Sequence, residues 1–144
     1  MVRPSGVLVI VPCGRAKIWD KNPAAGPTSA RDAYVGAPFK VNREYAERFG
    51  DAWVILSAKY GFVGPEHIIA GPYDVTFKRS STGPIDDRSL QRQIRDQMLD
   101  RFDEIIALGG ADYRARIEKA FASTGPVPRF PFAGLPLGRL MQAT

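Results

Sequence analysis

The sequence predicts an α/β protein with a three-layer open sheet, mostly parallel, of about four strands with flanking helices. Three segments, 7–12, 52–58 and 104–109, are nearly continuous apolar runs, which is typical of strands buried on both faces. Segments of helical periodicity lie between them, and this alternation predicts right-handed crossovers. The length of 144 residues matches one domain, so we expect a single domain over 1–144.

The elements follow in chain order from these patterns. VLVIVP at 7–12 is the first predicted strand, and a helix over 38–50 follows it, ending at Gly50. AWVILSA at 52–58 is the second strand. The spacing by four of Leu90, Ile94, Met98 and Phe102 predicts a helix over 89–102.

The last third of the chain predicts two more helices and a fourth strand. EIIALG at 104–109 is the third strand, and Asp112 is placed to cap a helix that carries Tyr113, Ile117 and Phe121. VPRFPF at 127–132 predicts a weaker strand, and LPLGRLMQ at 135–142 a short final helix.

Composition narrows the classes of function. The net charge of +5, with 14 arginines and 6 lysines, favours an anionic partner, although solubility alone also accounts for it. One cysteine and one histidine provide neither a disulfide nor a structural zinc site, so we expect no metal. Neither a Walker A loop nor GxGxxG occurs, and we expect no cofactor. The apolar run at 7–12 is too short for a signal peptide, which predicts a cytoplasmic protein without membrane contact.

Two long segments, 14–37 and 61–86, follow predicted strands. Both are rich in glycine and proline but also contain aromatic residues, which disordered segments lack. Ligands of open α/β sheets bind at the carboxyl ends of the strands. We therefore expect both segments to be ordered loops that face a substrate.

The turn after the first strand, PCGRAK, combines Cys13 and Gly14 with the cations of Arg15 and Lys17. A glycine permits close backbone approach, and two cations suit a phosphate or carboxylate. The alternative is a surface turn with solvated cations.

Three further polar segments end near the same predicted edge. The second strand leads into Ser57, Lys59, Tyr60 and Gly61, with Tyr73 further along, which together offer hydrogen-bonding, cationic and stacking groups. The alternative is a turn in which Tyr60 packs and Lys59 is solvated.

The other two segments each contain a carboxylate next to an aromatic residue. In DAYVG, Asp32 stands two residues before Tyr34, with Gly36 after them. GGADY places Gly110, Asp112 and Tyr113 at the start of a helix, whose amides favour anions. Both aspartates are equally explained as helix caps.

Taken in order, these segments resemble the YaaA-like peroxide-stress proteins and related short uncharacterised domains. The matching stretches are DAYVG at 32–36, LSAKYGFVGPEHIIAGPYD at 56–74, LGGADY at 108–113 and the PLGRLM ending. The longer YaaA proteins have glycine-leucine where this chain has Ala58 and Lys59. The resemblance implies DNA binding, protection against oxidative damage, and base or nucleoside processing.

The leading hypothesis is an N-glycosidase-type enzyme that removes a modified or damaged base from DNA or a nucleoside. Such a reaction needs a carboxylate against an oxocarbenium ion, aromatic rings on the base and cations on phosphate. The expected roles divide the candidates into catalytic residues (Asp32, Asp112 and Lys59) and substrate-binding residues (Cys13, Gly14, Arg15, Lys17, Tyr34, Gly36, Ser57, Tyr60, Gly61, Tyr73, Gly110 and Tyr113), with Tyr34 and Tyr60 stacking on the base.

Two other classes of function remain open at this point. One is a non-catalytic nucleic-acid-binding protein of stress protection, and the other is an enzyme acting on an anionic metabolite. The predicted helix at 89–102 and its flanks mix both signs of charge, which is typical of a solvated face rather than of a basic binding stripe.

Overall fold

A computed structural model describes residues 6–132 of the chain. Its main sheet has four strands, which are β1 (Val7–Pro12), β3 (Ala52–Ser57), β4 (Gly61–Val63) and β6 (Glu104–Ala107). Two short strands, β2 (Thr28–Ser29) and β5 (Ile68–Ile69), form an antiparallel pair apart from it. The helices are α1 (Ala30–Ala33), α2 (Ala37–Phe49), α3 (Asp87–Asp96) and α4 (Ala111–Ala120).

The strand order in the main sheet is β4-β3-β1-β6. β1 pairs in parallel with β3 on one side and with β6 on the other, and β4 adds an antiparallel edge. The chain therefore moves to one side of β1 for its second parallel strand and to the other side for its third. The crevice between β1 and β6 is the point at which the strand order reverses, where ligands of such sheets bind.

The side chains of β1 alternate between two hydrophobic cores. Val9 and Val11 face α2 through Phe39 and Ala46. Leu8 and Ile10 lie in the other core, whose helical residues include Leu90 and Ile94 of α3 and Ile117 of α4. Because both faces of the sheet are covered, the strands are apolar throughout, and the predicted three-layer α/β architecture is confirmed.

The predicted strand at 127–132 is wrong. Arg129 makes a single parallel bridge with Ile106, donating its amide to the Ile105 carbonyl and accepting from Ala107 at 2.9 Å each. The next amide that would face β6 belongs to Pro131, which has no N–H, so the ladder cannot continue.

Two helix boundaries also differ from expectation. The predicted helix at 89–102 ends at Asp96, because Met98 takes a left-handed conformation with φ of 57° and a short 3-10 turn follows it. The helix after β6 is capped by Gly110 and not by Asp112, which lies in its first turn. Gly109, with φ of 116°, turns the chain so that α4 begins at Ala111, before the predicted cap Asp112. The predicted final helix at 135–142 lies outside the described residues.

The two long segments are ordered, as their aromatic content predicted. The first contains β2, α1 and a 3-10 turn at Ile18–Asp20, where the Trp19 indole donates to the Gly26 carbonyl at 2.9 Å. The second contains β4, β5 and a 3-10 turn at Ser80–Thr82. Both segments extend from the carboxyl ends of strands β1 and β3.

Candidate active site

A cavity of about 340 Å³ opens between the segments that follow β1 and β6. Its walls come from three places: the turn at 13–17, the loop at 74–82 and the first turn of α4. It therefore lies at the point where the strand order reverses. Its volume is at the lower end of the range of ligand cavities, about 300–1,000 Å³.

The first wall is the turn at 13–17. Gly14 has φ of 73°, which an L-residue adopts only with strain. The turn then folds back so that Lys17 is only 7% exposed, although it lines the cavity. The Lys17 ammonium donates to the Arg15 carbonyl at 3.0 Å and lies 4.4 Å from the centroid of the Tyr73 ring. A buried cation is thus held at the cavity wall by a carbonyl and an aromatic face.

The second wall is the start of α4. The amides of Ala111, Asp112 and Tyr113 precede the first hydrogen bond of the helix, and no side chain within 6–132 caps them. Asp112 and Tyr113 both line the cavity. The Tyr113 hydroxyl accepts from the Gly14 amide at 3.3 Å and lies 3.5 Å from the Cys13 sulfur, so it fastens α4 to the turn at 13–17.

The third wall is the loop at 74–82. The Thr82 hydroxyl accepts from the Thr76 amide at 3.0 Å and lies within 3.0 Å of the carbonyls of Thr76 and Arg79, so it closes the loop on itself. The Phe77 ring packs edge-on against Tyr113 at 5.7 Å. This loop brings two cations, Lys78 and Arg79, and the carboxylate of Asp74 to the cavity.

A chain of hydroxyl groups lies behind Lys17. Ser57 is fully buried, and its Oγ accepts from the amides of Lys59 and Tyr60 at 3.2 Å each. Since both lone pairs are used, the Ser57 hydrogen is donated to Tyr73 at 2.7 Å. Tyr73 in turn donates to Tyr34, with 2.5 Å between the oxygens. Two backbone amides thus set the direction of the whole chain.

Burial raises the pKa of three tyrosines at this edge, Tyr34, Tyr73 and Tyr113. That of Tyr34 is raised to about 12, chiefly by desolvation and next by Cys13. Desolvation and the neighbouring Cys13 also raise the pKa values of Tyr73 and Tyr113 above their ordinary range. All three hydroxyls therefore stay protonated at neutral pH and remain hydrogen-bond donors.

The structure brings part of the predicted site together. The predicted residues that line the cavity are Cys13, Gly14, Arg15, Lys17, Asp112 and Tyr113. Ser57 and Tyr73 lie behind it in the hydroxyl chain, and Gly110 is the N-cap of α4.

Other predicted residues lie away from the cavity lining. Tyr34 is 1% exposed and packs against Phe39, which leaves no free ring face, so the predicted stacking on a base is not supported. Tyr60 packs edge-on against Tyr73 at 5.3 Å. Gly36 is the N-cap of α2, and Gly61 needs its φ of 76° to begin β4.

Two of the three predicted catalytic residues also lie outside the lining. The Asp32 side chain is 62% exposed, accepts from the Ser29 hydroxyl at 3.0 Å and lies 3.8 Å from the Arg43 guanidinium. Lys59 is exposed, with its ammonium 5.2 Å from the Tyr60 ring centroid. Asp112 lines the cavity, whereas Asp32 and Lys59 do not. The Lys59 ammonium nevertheless lies 5.5 Å from the centroid of the Tyr73 ring, which Lys17 also contacts.

Sequence reasoning missed the contribution of the loop at 74–82. The lining residues from this loop are Asp74, Val75, Thr76, Phe77, Lys78, Arg79 and Thr82. The signal was present in the sequence, because TFKR joins a hydroxyl, an aromatic ring and two cations inside a segment already expected to face a substrate. The Phe77 ring contacts two residues of α4, Tyr113 and Arg116, whose guanidinium lies 5.1 Å from the ring centroid, and these contacts bring the loop to α4.

Within 6–132, no three side chains of the histidine, cysteine or acidic kind cluster closely enough to hold a metal ion. None of the described helices is long and apolar enough to cross a membrane. The charged groups that line the cavity are the cations of Arg15, Lys17, Lys78 and Arg79 and the carboxylates of Asp74 and Asp112. Hydroxyl and backbone amide groups complete the polar lining.

Comparison with known proteins corrects the expected family. An uncharacterised protein of Bacillus subtilis (strain 168), YfjM, is 43% identical over 108 residues, which cover 75% of this chain and 72% of that protein. No solved structure matches. The resemblance to YaaA-like peroxide-stress proteins is wrong, because the matching family model is a different one, and the link to DNA protection that it implied falls with it. That model, of a family of unknown function, spans residues 8–143. The chain therefore belongs to the DUF6884 family.

Proposed function

We propose that the protein is an N-glycosidase-type hydrolase that removes a base from a nucleoside unit, either free or in DNA. The observation that carries the proposal is that one cavity combines the carboxylates of Asp74 and Asp112 with the aromatic rings of Phe77 and Tyr113. Cleavage of an N-glycosidic bond requires both kinds of group, a carboxylate near the sugar and a stacking surface for the base.

Asp112 is the better placed of the two carboxylates. It lies in the first turn of α4 and is partly buried, whereas Asp74 is exposed on the loop. In the proposed reaction the C1′–N bond breaks and its electron pair goes to the base nitrogen. Asp112 stabilises the resulting oxocarbenium ion, and the oxygen of a water molecule bonds to C1′.

The attacking water supplies the protons that this reaction needs. Water gives one proton, directly or through Asp112, to the departing base nitrogen and keeps the other as the new sugar hydroxyl. The Tyr113 hydroxyl, which burial keeps protonated, also lies at this cavity, where it accepts from the Gly14 amide at 3.3 Å. We expect the enzyme to work in the cytoplasm, where its substrates are nucleosides, nucleotides or DNA.

The test is release of free base, followed by chromatography, from nucleosides, nucleotides and lesion-bearing oligonucleotides. We expect Asp112→Asn to lower kcat by about 10²- to 10⁴-fold, as loss of a catalytic carboxylate does. Asp32→Asn is the matched control, because Asp32 lies outside the cavity lining and is expected to leave kcat within about twofold.

Two results would contradict this proposal. One is the absence of base release from every substrate class, and the other is full activity of both Asp112→Asn and Asp74→Asn. If Asp74→Asn abolishes activity while Asp112→Asn does not, the reaction class stands and the catalytic carboxylate is Asp74.

A second candidate function is nucleic-acid binding without catalysis. The observation that favours it is the set of four cations around the cavity, which lack carboxylate partners among residues 6–132. It predicts oligonucleotide binding that weakens steeply between about 50 and 200 mM salt, with no base released. The same chromatographic assay, run beside a binding titration, separates the two functions.

A further inference from the structure

We propose that the cavity contains a subsite for a phosphate monoester, so that the substrate is a nucleoside 5′-monophosphate rather than a nucleoside or an internal position in DNA. This inference rests on the proposed function and names its substrate class. The subsite consists of the cations of Arg15, Lys17, Lys78 and Arg79 together with the first amides of α4.

Lys17 is the strongest indication of an anionic ligand. It is more than nine-tenths buried, and the Arg15 carbonyl is the one hydrogen-bond acceptor its ammonium has within 6–132. No carboxylate of the described residues lies within 4.0 Å of it, since it takes part in none of their ion pairs. Besides that carbonyl, the ammonium contacts the face of the Tyr73 ring, and an anion in the cavity would supply the charged partner that a buried cation otherwise lacks.

The opposite wall supplies two more cations on a preformed support. Lys78 and Arg79 are exposed, but the loop that carries them is closed by the Thr82 hydroxyl and by the Thr82 amide, which donates to the Arg79 carbonyl at 3.1 Å. The Lys78 amide donates to the Thr76 hydroxyl at 3.2 Å. The backbone that positions both cations is therefore set before a ligand binds, which lowers the entropic cost of binding.

The start of α4 adds backbone donors to the same cavity. The amides of 111–113 have no capping side chain among the described residues, and they carry the positive end of the helix dipole. Four cations and the first turn of a helix, from which Asp112 and Tyr113 line the cavity, match the recognition of phosphate.

The charge of the lining distinguishes a monoester from a diester. Four cations against the two carboxylates of Asp74 and Asp112 leave a net charge of +2. A phosphate monoester carries about −1.5 to −2 at pH 7, whereas a backbone diester carries about −1. The lining therefore balances a terminal phosphate more closely than an internal one.

Calorimetric titration with ribose 5-phosphate, ribose and orthophosphate tests the subsite without any bond cleavage. We expect ribose 5-phosphate and orthophosphate to bind, and ribose to bind at least about tenfold more weakly than ribose 5-phosphate. We expect Lys17→Met to weaken ribose 5-phosphate binding about 10- to 100-fold. Lys40→Met, an exposed position on α2, is the matched control and is expected to bind like the wild type.

A second variant protects the test against misfolding of Lys17→Met. The double substitution K78A/R79A changes exposed side chains only, and we expect it to weaken ribose 5-phosphate binding at least about tenfold. Equal binding of ribose and ribose 5-phosphate, or wild-type affinity in both variants, would overturn the phosphate subsite.

Failure of this inference is distinguishable from failure of the proposed function. Base release from nucleosides at the same kcat/KM as from their 5′-monophosphates would overturn the subsite and leave the hydrolase standing. Tight binding of ribose 5-phosphate without base release from any substrate would overturn the hydrolase and leave the subsite standing. A 5′-phosphorylated oligonucleotide that binds no better than its unphosphorylated form restricts the ligand to free nucleotides.

Discussion

Removal of the Ser57 hydroxyl is the most informative perturbation of the support behind the cavity. Ser57 is fully buried, and its Oγ makes three hydrogen bonds, two from backbone amides and one to Tyr73. Ser57→Ala removes all three at once while it leaves the packing of the strand nearly unchanged. The direction of the hydroxyl chain is then no longer set by the backbone.

The expected loss of stability in Ser57→Ala depends on how exposed each hydrogen-bond partner of the Ser57 hydroxyl is. The two amides belong to the exposed Lys59 and the half-buried Tyr60, so water can replace part of what they lose. The Tyr73 hydroxyl keeps its bond to Tyr34 and loses one net hydrogen bond, about 1 kcal/mol. We therefore expect Ser57→Ala to lower the free energy of unfolding by about 2–3 kcal/mol.

Urea unfolding followed by tryptophan fluorescence measures the change in the free energy of unfolding of Ser57→Ala. Ser123→Ala, at an exposed position, is the control and is expected to change stability by less than about 0.5 kcal/mol. A double-mutant cycle with Tyr73→Phe is expected to show a coupling of about 1 kcal/mol, because the two single substitutions remove one shared hydrogen bond. A loss of less than about 0.5 kcal/mol in Ser57→Ala, or strict additivity in the cycle, would refute the hydroxyl chain.

Two further predictions concern the turns and the tyrosines around the cavity. Gly109→Ala is expected to destabilise the protein by at least about 1 kcal/mol more than Gly14→Ala. Both glycines have positive φ, but only a Cβ at position 109 would clash, because it would lie 2.9 Å from the ring of Pro12. Equal urea unfolding midpoints for the two variants would contradict this expectation. The pKa of Tyr34 is about 12 in the folded protein and about 10 when unfolded, so unfolding releases its proton between these values and stability falls as the pH rises through that window. Tyr34→Phe is expected to lose stability less steeply from pH 10 to 12, by at most about 2–3 kcal/mol, and an unchanged slope would contradict it.

The sequence predicted the buried sheet well, because a strand with helices on both faces must be apolar at nearly every position. It did not predict β2, β4 and β5, which have only two or three residues each and no periodicity to detect. It overpredicted a strand at 127–132, where Pro131 interrupts the hydrogen-bonding pattern. The local sequence pattern therefore predicted the strands whose position is determined by burial. It failed at 127–132, where the absence of one backbone N–H at Pro131 ends the pairing.

The sequence indicated the edge of the sheet at which the cavity lies, but only some of the residues that line it. The carboxyl ends of β1 and β6 do meet, so Lys17, Asp112 and Tyr113 share one cavity. Asp32 was expected there because DAYVG follows the same strand, yet α1 turns its carboxylate towards Arg43. The loop at 74–82 closes the cavity through tertiary packing on α4, and no local spacing in the sequence specifies that contact.

A crystal structure of Asp112→Asn with a bound nucleoside 5′-monophosphate is the decisive test of the proposed site. We expect the ligand to lie in the cavity between β1 and β6, with its phosphate against Lys17 and its base against Phe77. A nucleotide bound elsewhere, such as on the exposed surface beside Asp32, or a cavity left without ligand at saturating nucleotide, would contradict it.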